Sequence, residues 1–377
     1  MNEFDNIKPY SDKDVPAAIK RLADNELFPA IIHYLFPDRN FEEYRNEFIN
    51  IKTVKEFQVK FVYSAMKSII KNTSTGFHYS GANNIDKDDC HVYISNHRDI
   101  ALDAALFDCV LYENNIDTCE ITFGNNLMQG DFIIDFGKIN KMFRIMRGGN
   151  AHDFYKQSIE VSQYIRYTIL EKKQSIWIAQ RNGRTKDGDD KTELGVLKML
   201  SLGSKSNFVE NFNEINILPI SISYEYEPCD FMKTQELFIT KYQKYEKEPG
   251  EDMKSILNGI SQKKGEIHLS ICPPIIIEEL EYCDRFDKNE KFIQLAKIID
   301  DRIYRDYKLF KNNYIAHDLL NKSYRYENHY SKEDKESFIQ YKNNGLSQLN
   351  GDYDELEQIF LKIYATPVDN CERFKKH

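Results

Sequence analysis

The segment YISNHRDIALDAALF, residues 93–107, sets a histidine at the end of an apolar run and follows it with two carboxylates, Asp99 and Asp103. Histidine titrates near neutrality. A carboxylate bonded to one ring nitrogen fixes the tautomer and stabilises the imidazolium formed when the other nitrogen takes a proton. His97 is thus a candidate general base with Asp99 or Asp103 as its carboxylate, and Asp99 is also well placed as a helix cap. On the residues alone a polar strand-to-helix corner is the commoner arrangement, because aspartate there is a good N-cap.

Other chemistries find less support. HRD at 97–99 and DFG at 135–137 suggest phosphoryl transfer, but the position five after Asp99 is Ala104 where a metal-holding asparagine is needed. The only glycines before His97 are Gly76 and Gly81, too few for a phosphate loop. No G-x-S-x-G elbow occurs. Cys90, His91 and His97 are close in sequence, but strand alternation scatters them and no second ligand cluster follows, so no metal is expected.

The elements that must position His97 are readable from pattern. HVYISN, CEITFG, SIWIAQ, INILPISISYEY and EIHLSICPP are short, β-branched or aromatic, and read as strands. Helical patterns at 101–112, 152–173 and 193–202 lie between them. Alternation of this kind predicts an α/β fold with a mostly parallel sheet and flanking helices, whose sites form at the carboxyl ends of strands. His97, Gly124 and Arg181 fall there. Residues 1–89 read as a helical N-terminal region, 90–278 as the α/β core and 279–377 as a helical extension. SYRYENHYSKEDKES, inside that extension, reads as a linker.

At 377 residues, 41% hydrophobic and with net charge −9, the chain is globular and unsuited to general nucleic-acid binding. Its seven scattered cysteines contain no C-x-x-C pair and read as reduced thiols. The polar N-terminus lacks the pattern of a signal peptide, and charge-free apolar stretches reach only 11 residues, against ~20 for a bilayer span. A cytoplasmic location is expected. The helix beginning TVKEF opens with a Thr53/Glu56 capping pattern, puts Val54, Phe57, Phe61, Ala65 and Ile69 on one stripe, and carries Lys52, Lys55, Lys60, Lys67 and Lys71. It reads as a core helix with solvated lysines or, alternatively, as a membrane-surface helix.

SNHRDIALD resembles the first motif of the lysophospholipid and glycerol-phosphate acyltransferase superfamily, in which a histidine and a later aspartate form the catalytic pair. NKMFRIMRGG, IWIAQRNGRTKDG and ILPISISYE are similar to its second, third and fourth motifs, in that order. HYLFP, NNYIAHDLL and IYATPVDN extend the resemblance to a branch of Bacteroidetes type.

The resemblance implies transfer of a fatty acyl chain from acyl-CoA or acyl-carrier protein to the hydroxyl of a lysolipid acceptor. No other cofactor is implied. It further implies peripheral attachment to the inner face of the cytoplasmic membrane. His97 would be the base and Asp103 or Asp99 its partner. Arg98, Arg147, Arg181, Asn182, Gly183 and Arg184 would contact the acceptor, forked guanidinium groups suiting a phosphate. Which of Arg181 and Arg184 matches the family arginine stays open. Two departures stand out: Asp103 lies one residue further from His97 than in the usual motif, and Asn182 stands where the third motif has glutamate.

Overall fold

The computed structural model describes residues 4–127, 130–145 and 151–375. Seven strands form one sheet: β1 (Ser74–Ser80), β2 (Val92–Ser95), β3 (Glu120–Gly124), β4 (Met142–Ile145), β5 (Ile176–Ala179), β6 (Ile217–Tyr224) and β7 (Gly265–Ile271). Their spatial order is β1-β7-β6-β2-β5-β3-β4. Only the β6–β7 pairing is antiparallel. The α/β class with a mostly parallel sheet is the one the alternating pattern predicts. All four residues of β2 and all eight of β6 are buried, as both faces of a central parallel strand must be.

Helices cover both faces. On one lie α1 (Val15–Ala23), α2 (Phe28–Leu35), α3 (Phe41–Phe48), α4 (Val54–Phe57), which continues through a π-helical stretch (Gln58–Tyr63) into α5 (Ser64–Thr73), and α6 (Leu102–Glu113). After α7 (Asp131–Ile139), the other face takes α8 (Ala151–Leu170), α9 (Leu194–Leu202) and α10 (Phe208–Ile215). Between β6 and β7 come α11 (Asp230–Tyr242) and α12 (Glu251–Ser261). Then α13 (Ile277–Asp284) and α14 (Glu290–Asp306) return to the second face, and α15 (Lys311–Leu320), α16 (Lys332–Leu346) and α17 (Tyr353–Lys375) build a third cluster against α11.

Two expectations change, and of the two readings of the helix around residue 57 the core helix with solvated lysines holds. Residues 1–89 are not all helical: β1 pairs with β7, and the N-terminal helices share a single apolar core with Trp177, Ile220 and Ile267 of the sheet. The sequence STGFHYS hides this strand because it is a half-exposed edge with few β-branched residues.

The stripe of the helix around residue 57 is not a membrane face. Phe57 and Phe61 are 0% and 4% exposed, stack on each other, and meet Phe48 and Phe136 edge-on. The lysines on its far side are solvated, Lys60 pairing with Glu56 and Lys67 with Glu113. Finally, the segment read as a linker is packed down: Tyr326 is buried, and its backbone N–H and the Tyr330 hydroxyl both donate to Asp318.

Candidate active site

β5 and β6 flank β2 on opposite sides, so the chain leaves β2 toward β3 and later crosses back, which makes the carboxyl end of β2 a topological switch point. The corner of residues 95–103 sits there. Asn96 staples it to β6, donating to the Ile222 carbonyl at 2.9 Å and accepting from the Ile222 N–H at 2.7 Å. The Thr185 N–H holds the His97 carbonyl at 2.7 Å from the other side.

Within this frame His97 Nδ1 lies 3.0 Å from Asp103 Oδ2. The same carboxylate oxygen accepts the backbone N–H groups of Arg98 at 2.6 Å and Asp99 at 2.9 Å, and Oδ1 accepts the Tyr224 hydroxyl at 2.7 Å. Four donors saturate a carboxylate that is only 1% exposed, and so fix its plane against the imidazole. With Nδ1 engaged, Nε2 has no hydrogen-bond partner among the described residues, and the His97 side chain keeps 11% exposure. That nitrogen is the one placed to take a proton. Trp177 meets the ring edge-on at 5.6 Å between centroids.

Asp99 takes the other position. Its Oδ1 accepts the N–H groups of Ala101 and Leu102, each at 2.8 Å, covering the exposed start of α6. Burial and then the neighbouring Asp103 carboxylate raise its pKa above the usual carboxylate range. Oδ2 is buried without a partner and faces Gly259 of α12, where an added Cβ would stand 2.0 Å away.

Arg98 is expected at the acceptor, and the structure puts its guanidinium elsewhere. It is 1% exposed, bonded to Asp190 at 2.5 Å and Glu227 at 3.1 Å, with Tyr307 beneath it. Burial opposes its charge, but those two carboxylates more than offset this and hold it protonated. Lys233 completes the network, reaching Glu227 at 2.5 Å and the Arg98 carbonyl at 2.9 Å.

The loop after β5 holds the remaining candidates. Arg181 is half-buried, Asn182 exposed, and Gly183 has φ +82° with open space where a side chain would be, a conformation that favours glycine. Arg184 is buried, donates to Ser255 of α12 at 3.2 Å, and keeps Nη1 unpartnered. Glu193 accepts the Asn182 N–H at 3.1 Å, so a carboxylate from a later position bonds the backbone of the residue that stands where the third motif has glutamate. Arg147 lies outside the described residues.

Tyr224, Asn96, Asp190 and Glu227 escaped the reading of the sequence. Tyr224 alone left a trace: it shares the parity of Ile220 and Ile222, which places it on the same face of β6.

Residues 76–223 match a family model described as Acyltransferase. The matched segment runs from β1 to within one residue of the end of β6 and contains the His97 corner and the loop after β5. Over that segment the chain is similar to acyltransferase domains. No curated protein matches the chain significantly. Among solved structures, the chain is similar to the 1-acyl-sn-glycerophosphate (LPA) acyltransferase PlsC from Thermotoga maritima, at 15% identity, with 78% of this chain and 94% of that chain covered and a TM-score of 0.39. Among the described residues, no helix is long and apolar enough to cross a membrane.

Proposed function

We propose that this acyltransferase moves a fatty acyl chain from acyl-CoA or acyl-carrier protein to the hydroxyl of a lysophospholipid-like acceptor. The observation that carries the reading is the buried His97–Asp103 pair, at 3.0 Å, with Nε2 left for substrate at the carboxyl end of β2. His97 Nε2 removes the hydroxyl proton as the acceptor oxygen attacks the thioester carbonyl carbon. The C–S bond then breaks, and the leaving thiolate takes the proton back from the imidazolium. Asp103 stabilises that imidazolium. No acyl-enzyme forms, because the acceptor hydroxyl is itself the nucleophile.

Arg181 is the better placed arginine for an acidic head group, since it is half-exposed beside the open backbone of Gly183. Arg184 supports it from beneath α12. Glu193 next to Asn182 favours a working site over a lapsed one, because a carboxylate is still available to the loop. The acceptor is a lipid, so the protein works at a membrane surface, the inner face of the cytoplasmic membrane. Met253 and Leu257, 38% and 58% exposed on α12 beside the site, are the residues that would touch it.

Transfer from a radiolabelled acyl thioester to a panel of lysolipids tests the reading. The wild type should acylate an acceptor, and His97→Ala should lower kcat by about 10³-fold with the fold intact. Transfer that survives the loss of His97 would refute the mechanism. Liposome binding without any transfer would instead mark a lipid-binding protein.

A further inference from the structure

The helices after β7 lie beyond the acyltransferase match, yet they hold the loop that carries Arg181 and Arg184. Adjacent carboxylates in that loop point in opposite directions. Asp190 reaches inward to Arg98 at 2.5 Å, Asn96 at 2.9 Å and Thr185 at 2.7 Å. Asp189 reaches outward, accepting the Tyr304 hydroxyl of α14 at 2.8 Å and the Asn370 amide of α17 at 3.1 Å. Two residues later, the Thr192 N–H and hydroxyl both donate to Asp300 of α14, at 2.8 and 2.6 Å.

The backbone of the loop also rests on α17. Gly188 has φ +81°, and a Cβ there would stand 2.3 Å from the Ile363 carbonyl oxygen and 3.2 Å from Pro367. Pro367 lies inside α17 and has no N–H, so the carbonyl four residues earlier, that of Ile363, lacks its helical donor. Only glycine lets the loop settle over that carbonyl. A second connection runs from α17 to the corner: the Tyr364 hydroxyl donates to Asp230 at 2.6 Å and accepts the N–H of Glu227 at 3.0 Å, and Glu227 pairs with Arg98.

We infer that the C-terminal helices are part of the acceptor site: Tyr304 and Asn370, acting through Asp189, are positioning residues for the loop that presents Arg181 and Arg184 to an anionic head group. This rests on the acyl-transfer reading above. The loop has no regular structure, and Asp300, Tyr304 and Asn370 of α14 and α17 are among its fixed points. Loosening them costs binding of a charged acceptor before it costs chemistry, since the bonds that fix the His97–Asp103 pair, from the Arg98 and Asp99 N–H groups and the Tyr224 hydroxyl, do not involve α14 or α17.

The test combines Tyr304→Phe with Asn370→Ala in the full-length chain, and uses Gly188→Ala as a second route to the same displacement. Kinetics are read with monoacylglycerol-3-phosphate and with uncharged monoacylglycerol, and hydrogen exchange is followed over 181–193 and over 92–106. Expected are a KM for the charged acceptor raised about tenfold, kcat within twofold, and an unchanged KM for the acyl thioester and the uncharged acceptor. Exchange should quicken at 181–193 and not at 92–106. Unaltered exchange in the loop, or an equal loss on both acceptors, overturns the inference. Faster loop exchange in a protein whose wild type transfers no acyl group refutes the acyl-transfer reading and upholds the brace.

Discussion

The corner at 95–103 and the loop at 180–193 face each other across the carboxyl ends of β2 and β5, yet they keep their shapes by different means. The corner is largely self-contained: Asp103 and Asp99 together accept four backbone N–H groups from residues 98–102. The loop bonds to residues far away, among them Asn96, Arg98, Asp300, Tyr304 and Asn370. A catalytic pair gains from local definition, because a short closed ring of bonds forms at little entropic cost. A specificity loop held at long range can change its contacts without disturbing the chemistry.

The contrast breaks hardest at Arg98, whose buried guanidinium ties the corner to the loop through Asp190 and to α11 through the network of Glu227 and Lys233. Arg98→Leu leaves Asp190 and Glu227 buried without their cation, which should cost about 3–5 kcal/mol in urea unfolding. A loss below about 1 kcal/mol would mean that corner and loop are held independently.

Asp300 sharpens the comparison on the loop side. Burial, with Asp190 and Asp301 near it, raises its pKa to about 7, while Thr192 donates to it. The folded state therefore holds a proton that the unfolded chain releases near pH 4. Stability from this group is present at low pH and falls as pH rises from about 4 to about 7. Asp300→Asn keeps an acceptor for Thr192 and removes the titration. It should gain about 2 kcal/mol over wild type at pH 8 and nothing at pH 4 in paired urea titrations. Parallel pH profiles for the two proteins would refute this.

The smallest effect belongs to the corner. Tyr224→Phe deletes one of four donors to Asp103 and keeps the ring, so stability should drop by about 1 kcal/mol and kcat about fivefold. Unchanged stability and kcat would show that the other three donors hold Asp103 unaided.

How much of this was legible follows the same division. His97, Asp103 and Asp99 lie within seven residues, so local pattern could bring the histidine and its candidate carboxylates together and mark Asp99 as a cap, while the expectation that His97 is a base came from the resemblance of the motif. Five of the seven strands announced themselves by β-branched runs. β1 did not, because an edge strand tolerates Ser, Gly and His, and β4 did not, because the other edge strand, MFRI, has a single β-branched residue and a charged Arg144. Arg98 shows the converse. Its place beside His97 suggested a substrate contact, and nothing local reveals that Asp190 and Glu227 converge on it.

By itself the sequence determined the α/β alternation, the strand-to-helix corner, its His and Asp pair, and the glycine-bearing arginine loop. These depend on propensity, capping and neighbours a few residues apart, which the order of residues specifies directly. Tertiary structure decided which arginine is buried, that Phe57 and Phe61 belong to the core, that Tyr224 holds Asp103, and that α14 and α17 brace the loop. Those outcomes depend on which distant surfaces meet when the sheet closes its two faces, and that is set by packing of the whole chain.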